Sequence, residues 1–307
     1  MNECDCPNIY TSLEQNIQDK YNKTKNILKF LRDEFVYGGH LLSLGCSAFA
    51  ISIILMLNAT FKFELIFITY LLSLIVYNFD HYKSVKEDKH DNPKRTNHIM
   101  KYQNFFPILL TIYGSLFIAL LLVYGNILSL SIGILILIIG ILYSIGLKNL
   151  TKKITGFKNI YTSLSVSLLV VLISFHVGLS LNLTALFIGL FIFLRLLINS
   201  SFCDLKDMKT DKKKELKTFP IYFGKKKFLS FLHVLNFISL LCVILGILLD
   251  ILPIFSLFLV LTYPIVIFYI NKAKKSNVNI ENLSSGLVDG EFIFWPILLF
   301  LGAIFIS

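Results

Sequence analysis

Nine apolar runs, most of them near the roughly 20 residues that cross a bilayer's hydrocarbon core, constrain this chain more than any other feature. They fall at approximately 36–57, 63–80, 104–124, 126–147, 159–180, 183–203, 228–249, 251–270 and 287–306. The runs are continuous in Leu, Ile, Phe and Val, without the strict alternation over about 10 residues that marks barrel strands. Lipid offers no partner to an open strand, so each run is expected to be a helix. Only 16% of the residues are charged, against roughly 25% in ordinary soluble proteins, which excludes a soluble enzyme. The expected fold is an all-α polytopic membrane protein, nine transmembrane helices in a bundle, with residues 1–35 as an N-terminal arm and 36–307 as the membrane domain.

Charge sets the expected orientation. Lys and Arg accumulate in short cytoplasmic loops, and here all but two of the 29 lie in the arm or in alternate loops, at 83–103, 148–158, 204–227 and 271–286. The exceptions are Lys62 and Arg195. This pattern predicts an integral protein of the cell membrane with its N-terminus cytoplasmic and its C-terminus outside. The net charge of +10 is accounted for by this topology and by anionic membrane lipids. No nucleic-acid module accompanies it, so no nucleic-acid partner is expected. The five cysteines imply no disulfide framework, and Cys4 and Cys6 read as part of a solvated tail. Polar residues fill the first 30 positions, which leaves no signal-peptide core.

Two of the basic loops open with acidic helix ends. Residues four apart share a helix face, so Asp80, Ser84 and Asp88 form one stripe, and Asp207, Asp211 and Glu215 a second, with Asp204 three residues before it. Carboxylate oxygens suit Mg²⁺, which is typically held by one or two carboxylates together with substrate phosphates. Acid stripes alone would repel a diphosphate, so a cation is needed between them. Arg95, Lys148, Lys158 and Lys217 are close enough in sequence to neutralise remaining phosphate charge.

These residues resemble the signatures of the UbiA superfamily of intramembrane prenyltransferases. Asp207-Met208-Lys209-Thr210-Asp211, with Thr218, Pro220 and Gly224 after it, looks like the family's second acidic motif. Asp88, Pro93 and Arg95 look like the end of the first. Tyr143-Ser144, Lys148, Gly156, Lys158 and Asn159 resemble the loop between the family's fourth and fifth helices. The departures are Asp80 where the family usually has Asn, Ser84 where it has an Asp, and Glu215 at a position often Gly or Asp. The resemblance implies a 4-hydroxybenzoate-polyprenyltransferase-like enzyme that moves an isoprenyl group from a polyprenyl diphosphate to an aromatic or lipid acceptor, with Mg²⁺ as cofactor. It implies Asp80, Ser84, Asp88, Asp207 and Asp211 at the metal site, and Arg95, Lys148, Lys158, Arg195, Lys217 and Tyr143 toward the diphosphate. It further implies a central chamber open to lipid, in which an allylic cation is kept from water.

Arg195 lies within a span, where a charge usually faces the bundle interior; an acid of the chain and the diphosphate are both candidate partners. His176 reads as a structural histidine. Two other readings remain open from sequence: a noncatalytic isoprenoid-lipid-binding homologue, motivated by Ser84, and a transporter. Against the transporter, no acid lies mid-span, where a coupling ion would sit. Acceptor identity and prenyl length have no motif in the chain.

Overall fold

The computed structural model describes residues 7–88, 93–275, 278–288 and 290–306. Among them every regular element is helical: α1 (Pro7–Tyr37), α2 (His40–Met56), α3 (Glu64–Asp88), α4 (Pro93–Lys101), α5 (Phe106–Tyr124), α6 (Ile127–Ile145), α7 (Phe157–Ser167), α8 (Leu169–His176), α9 (Leu183–Lys213), α10 (Phe219–Leu248), α11 (Thr262–Ala273), α12 (Ile280–Leu283) and α13 (Phe294–Ile306). Among the described residues seven stretches are long and apolar enough to cross a membrane, α7 with α8 counting as one and the 3-10 helix Ile254–Leu261 with α11 as another.

The sequence anticipated nine spans, and the two outermost are where the structure differs. The first expected run, 36–57, breaks at Gly38-Gly39, where the chain bends by 56° between α1 and α2. Gly39 has φ +86, and a Cβ there would run into the Tyr77 ring of α3. Only glycine allows both the left-handed backbone and that approach. The run is left as a 17-residue helix, and counting the bent pair as one span gives eight. The last run, 287–306, is also interrupted: a π-helical turn at Ser284–Val288 and a 3-10 turn at Glu291–Ile293 precede α13, so its apolar helix, Glu291–Ile306, is shorter than a full span.

Tight connections at the end away from the basic loops follow from capping. Asn126 opens α6 with a capping box, its side chain accepting from Ser129 N while Ser129 Oγ accepts from Asn126 N. Asn182 caps α9 by accepting from Ala185 N at 2.9 Å. Each satisfies a backbone donor that a helix start leaves orphaned.

The core has two parts. One centres on Phe49, Phe191, Phe292 and Trp295, packed ring against ring. The other, nearer the acidic ends, joins α9, α10 and α11 through Phe202, Phe228, Leu232 and Tyr269. Cys46, Cys203 and Cys242 form no disulfide; Cys4 and Cys6 lie outside the described residues.

α9 positions the site. At 1.5 Å per residue its 31 residues extend ~46 Å, against a hydrocarbon core of ~30 Å. About ten residues therefore stand beyond the apolar run, and these carry Asp204, Asp207 and Asp211.

Candidate metal and diphosphate site

The α9 end is the more buried part of the site. Asp204 is 1% exposed, and its Oδ1 accepts from Lys158 Nζ at 3.0 Å. Its Oδ2 is buried without a partner, as is Oδ2 of Asp211, about two turns further along the same face of α9. Asp207 is half-buried beside them. Lys158 reaches Asp204 from the first turn of α7, which starts at Phe157 just after the N-cap Gly156. There φ is +68, and a Cβ would collide with the Phe219 ring. The Gly156 amide donates to the Lys217 carbonyl at 2.8 Å, and the Lys217 amide donates to the Thr151 carbonyl at 2.9 Å. These bonds fasten the 147–156 segment to the chain that follows α9.

Several uncharged polar groups at this end are buried and unpartnered too: both amide atoms of Asn159, Thr218 Oγ1 and the Tyr143 hydroxyl. Such atoms are costly unless something hydrogen-bonds them. Tyr143, stacked on Tyr161 with ring centroids 5.4 Å apart, sits within electrostatic reach of Lys158, Asp80, Asp204 and Asp211. The two acidic stripes, more than 100 residues apart in sequence, thus converge on one tyrosine.

The α3 end is looser. Asp80 lies 3.9 Å from Lys148 Nζ, and its side chain is 25% exposed. The Ser84 hydroxyl donates to the Asp80 carbonyl at 2.9 Å. A cavity of about 220 Å³ opens beside them, lined by Asp80, Lys83, Ser84, Ser144, Lys148 and Asn149. The Asp88 side chain, expected to complete this stripe, lies outside the described residues.

Other expected residues fall elsewhere. Glu215 does not extend the second stripe: α9 ends at Lys213 and Glu215 adopts φ +56, so its backbone turns out of helical register. A left-handed position explains why Gly would suit that place. Arg195 is not at the site. Its guanidinium is bonded to Glu291, to Asn236 Oδ1 at 2.9 Å and to the Thr262 carbonyl, all within the bundle. Of the two partners that the sequence allowed, an acid of the chain is the one present. Glu291 was not anticipated, because nothing local in the sequence ties it to a residue 96 positions earlier. Lys217 is exposed and donates weakly to the Lys153 carbonyl at 3.4 Å. Arg95 is half-buried on α4. His176 faces Glu64 at 3.5 Å, a pairing at the far end of the bundle.

The charged donors gathered here toward a cation are carboxylate oxygens, the hard ligands that suit Mg²⁺. Among the described residues no three His, Cys, Asp or Glu side chains form a ready cage. A cage is not required of an ion that keeps several waters and binds one or two carboxylates plus phosphate oxygens. The orphaned Oδ2 atoms of Asp204 and Asp211 fit such an ion.

Long apolar helices carrying convergent acids and lysines at one end define an integral membrane protein with a polar site at the membrane boundary. The chain matches the UbiA prenyltransferase family over residues 41–284, and it belongs to that family. No curated protein matches it significantly. Among solved structures it is similar to a UbiA homologue from Aeropyrum pernix K1, with a TM-score of 0.65 at 13% identity, covering 86% of this chain and 97% of that one. A UbiA homologue from Archaeoglobus fulgidus bound to GPP and Mg²⁺ has a TM-score of 0.64 at 17% identity, with 87% and 99% covered. A structure described as digeranylgeranylglyceryl phosphate synthase in membranes has a TM-score of 0.59 at 17% identity, with 89% and 98% covered. At these identities the likeness is one of fold.

Proposed function

We propose that the chain is an intramembrane prenyltransferase that moves an isoprenyl group from an allylic polyprenyl diphosphate to a hydrophobic aromatic or lipid acceptor. The observation that carries this reading is the convergence of both acidic stripes on Tyr143, with unpartnered carboxylate oxygens at Asp204 and Asp211. Asp207 and Asp211, with Asp80, Ser84 and Asp88 across the site, would hold Mg²⁺ directly or through water. When bound, Mg²⁺ would supply positive charge to the departing diphosphate.

The chain's own groups do the rest. Lys158 and Lys148, now beside Asp204 and Asp80, are placed to swing onto phosphate oxygens, with Arg95 and Lys217 further out. Tyr143 and Asn159 offer buried donors to the same oxygens, favouring the charge that grows there as the carbon–oxygen bond breaks. The nine apolar segments are read as a bundle around a lipid-open chamber that takes the isoprenoid chain and excludes water from the allylic cation. The basic loops support a cytoplasmic site and N-terminus with the C-terminus outside.

The test is diphosphate release from geranylgeranyl diphosphate by the purified protein, offered a mixed panel of aromatic and glycerophosphate acceptors with and without Mg²⁺. Release that needs the metal and disappears in Asp207→Ala/Asp211→Ala is expected. Ser84, a neutral hydroxyl where a carboxylate would bind a cation more strongly, favours a second reading, a noncatalytic isoprenoid-lipid binder. Binding of the diphosphate with no release to any acceptor would support that reading.

A further inference from the structure

A second cavity, of about 290 Å³, is walled by residues of α1, α2, α3, α4 and α5. Its polar lining is a single carboxylate flanked by two imidazoles, with an amide beside them. Glu34 of α1 accepts from the His98 ring at 2.9 Å and faces His40 at 3.7 Å. Asn78, 7% exposed, also lines the cavity, and its Oδ1 is buried without a partner. Among the described residues no Lys or Arg lines the cavity, in a chain of net charge +10 whose neighbouring loops are rich in both. Phe30, Tyr102, Phe106 and Tyr113 supply rings, and Ile99, Leu109 and Leu110 supply the aliphatic wall.

We propose that this cavity binds the ammonium group of an amine-bearing amphiphile, its nitrogen held between Glu34 and Asn78 Oδ1 and its apolar body lying along α4 and α5. A carboxylate and an unpaired carbonyl are acceptors for an N–H donor, and aromatic faces attract a cation in the same place. This cavity shares no lining residue with the one beside Asp80, so the proposal does not rest on the reading given to the aspartate site. The volume is at the low end of ligand pockets, roughly 300 Å³ and upward, which suits a small headgroup with the start of a chain. Hydrogen bonding and charge from His40 and His98 lower the Glu34 carboxyl from its ordinary value.

Two sources carry this chemistry, a lipid amine headgroup and a free hydrophobic amine. The experiment is equilibrium binding of radiolabelled octylamine to the full chain in an uncharged detergent, with octanoate as the anionic control. One saturable site is expected, weakened about 10–100-fold in Glu34→Gln, the range for losing a charge-assisted hydrogen bond. Asn78→Leu leaves the Glu34–His98 contact in place and is expected to weaken binding as well. Displacement by short-chain phosphatidylethanolamine but not by phosphatidylglycerol assigns the lipid source; displacement by neither assigns the free amine. Octanoate binding as tightly as octylamine, or unchanged octylamine affinity in Glu34→Gln, overturns the proposal. Where Glu34→Gln also lowers the melting temperature, Asn78→Leu decides, and its unchanged affinity overturns the proposal.

Discussion

The ends of α3 and α9 carry related acidic stripes, yet the structure treats them differently. At α9, Asp204 is buried and tied to Lys158 at 3.0 Å, and Asp211 is 7% exposed with an unpartnered oxygen. At α3, Asp80 is part-exposed and 3.9 Å from Lys148, with a hydroxyl at Ser84 where a carboxylate would strengthen the stripe. A buried charge costs much and is kept in place by its surroundings, whereas an exposed pair is held weakly. The α9 end is therefore the preorganised half of the site, and the α3 end the adaptable one.

The largest effect expected from this contrast is on turnover. Asp211→Ala is expected to lower Mg²⁺-dependent diphosphate release by on the order of 10³-fold, the scale for removing a preorganised electrostatic contact. Asp80→Ala, measured in the same assay, is expected to lose about 10–100-fold. Equal losses would break the comparison.

Stability comes next. Lys158→Met leaves Asp204 buried and unpaired, at a cost of about 2–3 kcal/mol in thermal unfolding; this is below the roughly 3–5 for a fully buried pair because the lysine end is partly open to solvent. Lys148→Met, which removes an exposed partner, is expected to cost under about 1 kcal/mol. Gly156→Ala forces a side chain into a left-handed position against Phe219 and is expected to cost about 1–3 kcal/mol, read from the same melts. The smallest effect sharpens the contrast from the other side. Ser84→Asp adds a carboxylate to the weak half and is expected to lower the half-saturating Mg²⁺ concentration several-fold; a rise would mean that the hydroxyl's bond to the Asp80 carbonyl matters more than its ligand chemistry.

What the sequence made legible is what local spacing encodes. Apolar runs located α3, α5, α6 and α9, and the i, i+4 rule found both stripes, because each depends only on residues within a few turns. The stripes' limits were less legible: Glu215 fits the spacing, but its backbone leaves the helix two residues after Lys213. Asp204, read as a flank to the second stripe, is the most buried of its acids, because α7 folds back to bring Lys158 against it. Pairings across the bundle were not legible at all. Arg195 with Glu291, and Glu34 with His98, join residues 96 and 64 positions apart, and no periodicity specifies which helix a side chain will face. The broken first and last spans were read as continuous because hydropathy counts apolar residues and is blind to the backbone turn at Gly38-Gly39.

The most direct measurement of the central claim, that the α9 acids and a divalent cation together hold the diphosphate, is binding of an unreactive geranylgeranyl thiodiphosphate to the purified chain with and without Mg²⁺. The account predicts binding that requires Mg²⁺, is abolished by Asp207→Ala/Asp211→Ala and is only weakened by Asp80→Ala. Binding that is independent of Mg²⁺, or that survives loss of both α9 aspartates, would contradict it.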